Sequence, residues 1–196
     1  IICGVIGSFI ILRGMALMGD AIAHAILPGV AISYLLGINY FYGAVVVGVL
    51  TALGIGLISE RSRIKSDAAI GIVFSAAFAL GVILITTAKS AIDLTQILFG
   101  NVLYVRTSDM WLTIIIGAIL LLIVIIFFKE LLISSFDETM AKVYGLKTRF
   151  IHYAIMVLLT LVTVASLQTV GVILVVSLLI TPASTAYLLT NRFSTM

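Results

Sequence analysis

Residues 19–29 read GDAIAHAILPG, an aspartate and a histidine four positions apart inside a long apolar stretch. Between Arg13 and Glu60 the only formally charged side chain is Asp20. The surrounding run from Gly14 to Gly37 exceeds the roughly 20 apolar residues that a helix needs to cross the hydrocarbon core of a bilayer. Read as a membrane span, it carries a carboxylate whose insertion costs roughly 2.5–3.5 kcal/mol at mid-membrane. Such a group stays where a function or a partner offsets that cost.

Composition agrees with the membrane reading. Of 196 residues, 63% are hydrophobic and 10% charged, and the mean hydropathy is +1.34. A soluble domain is about 45–50% apolar and about 25% charged. The net charge of +3 does not point to nucleic acid, because the basic residues sit in short segments between apolar runs and form no single patch. One cysteine, Cys3, excludes an intramolecular disulfide and a thiolate-only metal cluster. It reads as a small buried hydrophobe.

Working outward, further spans are expected at Tyr40 to Ser59, Ala68 to Ala88, Trp111 to Phe128, Phe150 to Leu167 and Val170 to Thr190. Ile1 to Leu12 reads as the end of a span whose beginning is missing. The segment from Leu94 to Tyr104 is too short to span and is expected to be a re-entrant half-helix, tolerable only inside protein or beside water. Asp93, just before it, reads more readily as an N-cap than as a ligand on the ion's path. Arg13, ERSRIK at 60–65, the segment 129–149 and Arg192 carry nine of the 11 basic residues. Placed on the cytoplasmic side, they satisfy the positive-inside rule. Two stripes of small residues, Ala44, Gly48, Ala52, Gly56 and Gly71, Ser75, Ala79, predict close helix packing, although small residues are common in membrane helices anyway.

Residues i and i+4 share a helix face, so Asp20 and His24 are expected to point the same way, near the middle of their span. A divalent cation favours the ionised aspartate and the neutral imidazole, the two forms that coordinate it. Oxygen plus imidazole suits manganese, iron or zinc. Two ligands are too few for a site, so others must come from elsewhere in the protein or from water. Pro28 removes a backbone hydrogen bond and permits a kink beside the pair. The competing readings are a purely structural pair bonded to neighbouring helices and a proton relay. His152, beside Arg149 and Tyr153, reads as interfacial and is not assigned to the metal.

The substantial polar connection is SSFDETMAKVYGLKTR, residues 134–149. Ser135 followed by Glu138 has the form of a capping box, and Gly145 is placed to end the helix in a left-handed turn. A helix of about nine residues, roughly 14 Å long, follows, far too short to span. Phe136, Met140, Val143 and Tyr144 form its apolar face, suited equally to a soluble partner and to resting on the membrane.

Taken together, FIILRGMALMGDAIAHAILPGVAISYLLG (9–37), IKSDAAIGI (64–72), DLTQILFGNVL (93–103), SFDETMAKVYGL (135–146) and LLITPASTAYLL (178–189) strongly resemble the membrane permeases of bacterial ABC importers for manganese, zinc and iron, the manganese group most closely. The likeness runs along the whole chain. It implies an all-α transmembrane bundle of the type II ABC importer permease kind, a single domain over residues 1–196 with a coupling segment at 134–149, in the bacterial cytoplasmic membrane. It implies that Asp20 and His24 are the metal-coordinating pair for transported Mn2+ (or Zn2+ or Fe2+), with no permanently bound cofactor. It further implies that Phe136, Asp137, Glu138, Met140, Ala141, Tyr144 and Gly145 belong to a coupling helix seated on a cytoplasmic ATPase dimer. The remaining partners are a second permease copy, membrane lipid and an extracellular solute-binding protein. Family members are longer than 196 residues, so this chain is expected to be part of a permease.

No GxxxxGK[ST] pattern occurs, so ATP hydrolysis is expected from another subunit, and the chain is read as a transport subunit and not an enzyme. A proton-coupled secondary transporter is the alternative, against which the coupling segment argues. An intramembrane protease is disfavoured by the absence of HExxH and of a second mid-membrane aspartate.

Overall fold

The computed structural model describes residues 1–87 and 107–190, which are helical throughout apart from short connections. The elements are α1 (Ile2–Leu12), α2 (Met18–Ala25), α3 (Leu27–Leu35), α4 (Tyr40–Arg61), α5 (Ser66–Thr87), α6 (Thr107–Ile126), α7 (Phe128–Phe136), α8 (Glu138–Val143), α9 (Thr148–Val170) and α10 (Val172–Leu189). Among the described residues six stretches are long and apolar enough to cross a membrane, α2 and α3 together making one of them. The five later spans fall where hydropathy puts them, within a few residues at their ends. Leu94 to Tyr104 and Asp93 lie outside the described residues.

The first span differs from the expectation. It is not one helix from Gly14 to Gly37: residues 14–17 turn, α2 starts at Met18, and the helix is interrupted at Ile26. Pro28 sits in the first turn of α3, where a missing N–H costs nothing because no intrahelical acceptor is due. Asp20 therefore lies in the first turn of α2. At 1.5 Å per residue the pair sits in the basic half of the span, about 3 Å and about 9 Å from its start, and not at its middle.

Helix ends must satisfy their own carbonyls, above all where water is scarce. Gly14, Gly37 and Gly145 all adopt positive φ, at 68°, 67° and 76°. At each, the next residue's N–H reaches back five positions (Met15 to Ile10, Ile38 to Ser33, Leu146 to Ala141, each 3.0 Å). These are Schellman closures, which the left-handed glycine permits. The Gly145 turn is as the sequence predicts.

α4 is the axis of the bundle, packed between α3 and α9. Its stripe of small residues is the reason. Ala44 and Ala52 are buried, a Cβ on Gly48 would lie 2.7 Å from Thr160 Cγ2, and one on Gly56 would lie 2.6 Å from Tyr153 Cε1. Gly29 and Gly43 bring the backbones of α3 and α4 into direct apposition, so that a Cβ on either would run into the carbonyl of the other. Gly7 similarly lets α1 lie against the Leu179 carbonyl of α10. The second stripe behaves differently: Ser75 and Ala79 are exposed and a Cβ on Gly71 would meet nothing within 4 Å. Among the described residues no helix packs closely on it. The core that these approaches create is apolar, with Phe9, Ile22, Ile26, Leu159, Val162 and Leu179 at its centre, and Cys3 is buried at its edge as expected.

Gly43→Leu is expected to cost about 3 kcal/mol or more through backbone overpacking. Gly54→Ala, whose Cβ would meet nothing within 4 Å, is expected to stay within about 0.5 kcal/mol of the parent. Thermal unfolding of the detergent-purified protein compares the two.

Candidate functional site

Asp20 and His24 do share one face of α2. His24 Nε2 lies 3.5 Å from Asp20 Oδ1, with side-chain exposures of 23% and 47%. That separation is beyond the 2.7–3.2 Å of a good N–H···O hydrogen bond. The imidazole is positioned by α5: Phe74 and Phe78 meet it edge-to-face, with centroids at 5.9 and 5.8 Å, and stack on each other. His24 Nδ1 is buried with no hydrogen-bond partner among the described residues, so orientation of the ring rests on these aromatic contacts. Among the described residues no third histidine, cysteine, aspartate or glutamate joins the pair. Among the described residues the pair thus offers two donor groups on one face of α2.

At the basic end of the bundle lies a cleft of about 830 Å³, lined by residues from α1, α4, α5, α7, α8 and α9. Arg13, Glu60 and the 134–149 segment meet there. Three of the four basic sites thus share one end of the bundle, and Arg192 lies outside the described residues. Arg13 is fully engaged: Nε donates to Ser135 Oγ (3.2 Å), Nη2 to Ser134 Oγ (2.8 Å) and to the Ser134 carbonyl (3.3 Å), and Nη1 to His152 Nδ1 (3.0 Å). With Nδ1 accepting, His152 carries its proton on Nε2. Burial pushes the Arg13 pKa below its ordinary value, opposed by the charge of Glu138, and a guanidinium stays cationic regardless. His152 has no contact with the Asp20–His24 pair. It belongs to this cluster.

The cap of α8 is not the one read from the sequence. Ser135 Oγ donates to the Leu131 carbonyl (2.7 Å) inside α7, while Asp137 caps α8 by accepting from Thr139 and Met140 N–H at 2.8 and 3.0 Å. The chain breaks at Asp137, whose φ of −147° is extended, so α8 has six residues and not nine. Glu138 pairs instead with Lys142 (2.9 Å), whose hydrogen bond holds the Glu138 carboxyl below its ordinary value. Phe136, Met140, Val143 and Tyr144 are 62%, 50%, 80% and 68% exposed, which makes a largely exposed apolar face. Ala141 is fully buried and supports α8 from beneath. Val143, the most exposed of the face, was visible in the apolar spacing; the Arg13 cluster was not, because its members lie more than 120 residues apart.

A multi-pass helical bundle with an acid–imidazole pair in its spanning core and an apolar helix at its basic end has the make-up of a membrane permease. The chain belongs to the ABC 3 transport family, whose match covers residues 1–196. It is 67% identical, over its whole length and 70% of the relative's, to "Manganese transport system membrane protein MntC" of Listeria innocua. It is 56% identical, again over its whole length and 70% of the relative's, to "Manganese import system permease protein ScaB" of Streptococcus gordonii. Among solved structures, "PsaBC from Streptococcus pneumoniae in complex with Fab" matches all of this chain and 70% of its own, with a TM-score of 0.86 and 57% identity.

Asp137→Ala should weaken α8 by about 1 kcal/mol through the lost cap, seen as faster amide hydrogen exchange over residues 138–143. Ser135→Ala should leave that exchange unchanged.

Proposed function

We propose that the chain is the transmembrane permease of an ATP-driven importer that carries a divalent transition metal, manganese before zinc or iron, into the cytoplasm. The observation that carries this reading is the half-exposed Asp20–His24 pair, its donors 3.5 Å apart, in a chain of the ABC 3 transport family. The names of the relatives favour manganese, and an oxygen–imidazole donor set accepts it. The ion is cargo, held briefly by ionised Asp20 and neutral His24, and no resident cofactor is needed.

A half-exposed carboxylate cannot face hydrocarbon without the insertion cost given above. The open side of the pair is therefore covered by protein or water. A second copy of the permease meets both requirements: it adds ligands to an incomplete set, and it covers the small residues Gly71, Ser75 and Ala79 of α5, the helix whose Phe74 and Phe78 meet the His24 ring, which no helix covers closely among the described residues. The basic end faces the cytoplasm, as the positive-inside rule requires. There α8, through Phe136, Met140, Val143 and Tyr144 with Asp137 and Gly145 shaping its ends and Glu138 paired to Lys142, is the surface on which an ATPase dimer docks. An extracellular solute-binding protein delivers the metal to the opposite face.

In the full-length importer, Asp20→Asn and His24→Ala are each expected to lower manganese uptake about 100-fold or to background while the complex stays assembled. Near-normal uptake in both would remove the site. Met140→Pro removes one of the two N–H groups that the Asp137 side chain caps and so is expected to loosen α8, but it perturbs the backbone as well as the face. Val143→Glu, which places a charge on the exposed face, is expected instead to prevent co-purification of the ATPase. Gly145→Val should have a milder effect through its strained left-handed turn.

A further inference from the structure

The Arg13 cluster has no part in binding the ion and none in docking. It does have a position. Arg13 closes α1 at the basic end, and the connection 14–17 leads directly into α2 with Asp20 in its first turn. Its hydrogen-bond partners Ser134 and Ser135 are the last residues of α7 before Phe136 and Asp137, the residue that caps α8. The third partner, His152, lies in the first two turns of α9. One side chain therefore ties the segment that carries α8 to the segment that carries Asp20, through three separate helices.

We infer that Arg13 is a positioning residue for transport: it makes the α7–α8 segment, the base of α9 and the α1–α2 connection move as one body, so that displacement of α8 reaches the Asp20–His24 pair. The inference rests on the reading of α8 as the ATPase dock. Its physical basis is the planar fork of the guanidinium, which presents several donors in fixed directions and holds three partners in register, as a lysine ammonium cannot. The Ser134 and Ser135 side chains are buried, at 6% and 8% exposure, so water does not readily replace the bonds that Arg13 makes to them. Ser135 is locked further by its own bond to the Leu131 carbonyl. The flexible connection to α2 is short, with Gly14 in its left-handed closure and Met15 buried, so little slack separates Arg13 from α2.

The test uses the full importer, permease with ATPase, in proteoliposomes supplied with manganese-loaded binding protein. Three quantities are read: ATPase co-purification, the KM for the loaded binding protein, and manganese moved per ATP hydrolysed. Arg13→Gln is expected to retain the ATPase and the KM within about twofold while manganese per ATP falls about tenfold, the scale of one hydrogen bond to a charged group. His152→Leu, which removes the acceptor, should lower the ratio in the same direction. His152→Asn, whose Oδ1 can take the place of Nδ1, should restore it to within about twofold of the parent, which a merely space-filling role would not do. An unchanged ratio in Arg13→Gln overturns the inference, as does His152→Asn being as impaired as His152→Leu. If Arg13→Gln yields no assembled complex, the two His152 variants decide. Failure of the docking reading is distinguished by Val143→Glu: a retained, coupled ATPase in that variant removes the dock and the inference with it, whereas loss of the ATPase there with an unchanged ratio in Arg13→Gln removes the inference alone.

Discussion

Backbone polar groups in a membrane protein must find partners within the protein, and this chain's architecture follows from how it meets that demand at its helix ends. Inside a span every N–H and C=O is paired, but the termini leave carbonyls over. At Gly14, Gly37 and Gly145 the chain folds the next two residues back onto the helix it has just left. Those closures let helices stop abruptly, so that α1 can turn into α2 over residues 14–17, α3 into α4 over 36–39, and α8 into α9 over 144–147. The turn over 36–39 brings α3 and α4 side by side.

Side-by-side helices gain little from hydrophobicity when lipid is the alternative surroundings, so close backbone approach supplies the packing. Gly29 against Gly43 joins α3 to α4, Gly48 and Gly56 join α4 to α9, and Gly7 joins α1 to α10. Ile26, at the interruption of the first span, is fully buried and its Cγ2 lies against Gly48. The break next to His24 is thus clamped by the bundle and not loose. An acid and an imidazole on such a clamped, interrupted helix are held in place by their surroundings, with Phe74 and Phe78 fixing the ring.

The two polar regions of the molecule are built on opposite principles. The Asp20–His24 pair is sparsely bonded, with Nδ1 unpartnered and a long Nε2 to Oδ1 distance; it has capacity left for a ligand. The Arg13 cluster is densely bonded, with four hydrogen bonds from one guanidinium to Ser134, Ser135 and His152; it serves to hold.

Much of this was legible in the residue order. Hydropathy places the spans, since the length of an apolar run and the thickness of a bilayer are local quantities. The i, i+4 spacing puts Asp20 beside His24, and the left-handed turn at Gly145 follows from its being a glycine after a helical run. Local rules fail where two of them compete for one residue. Ser135 and Asp137 both suit an N-cap, and the choice went to Asp137 because Ser135 lies within α7 and is drawn to the Leu131 carbonyl and to Arg13. The break at Ile26, the burial of Ala141 and the idle stripe at Gly71, Ser75 and Ala79 likewise depend on which neighbours arrive. Composition and periodicity thus determined that the chain crosses the membrane, and with which polar residues inside. Only the tertiary fold decided that Arg13 would meet Ser134, Ser135 and His152, because hydrogen bonds between residues more than 120 positions apart leave no trace in local spacing.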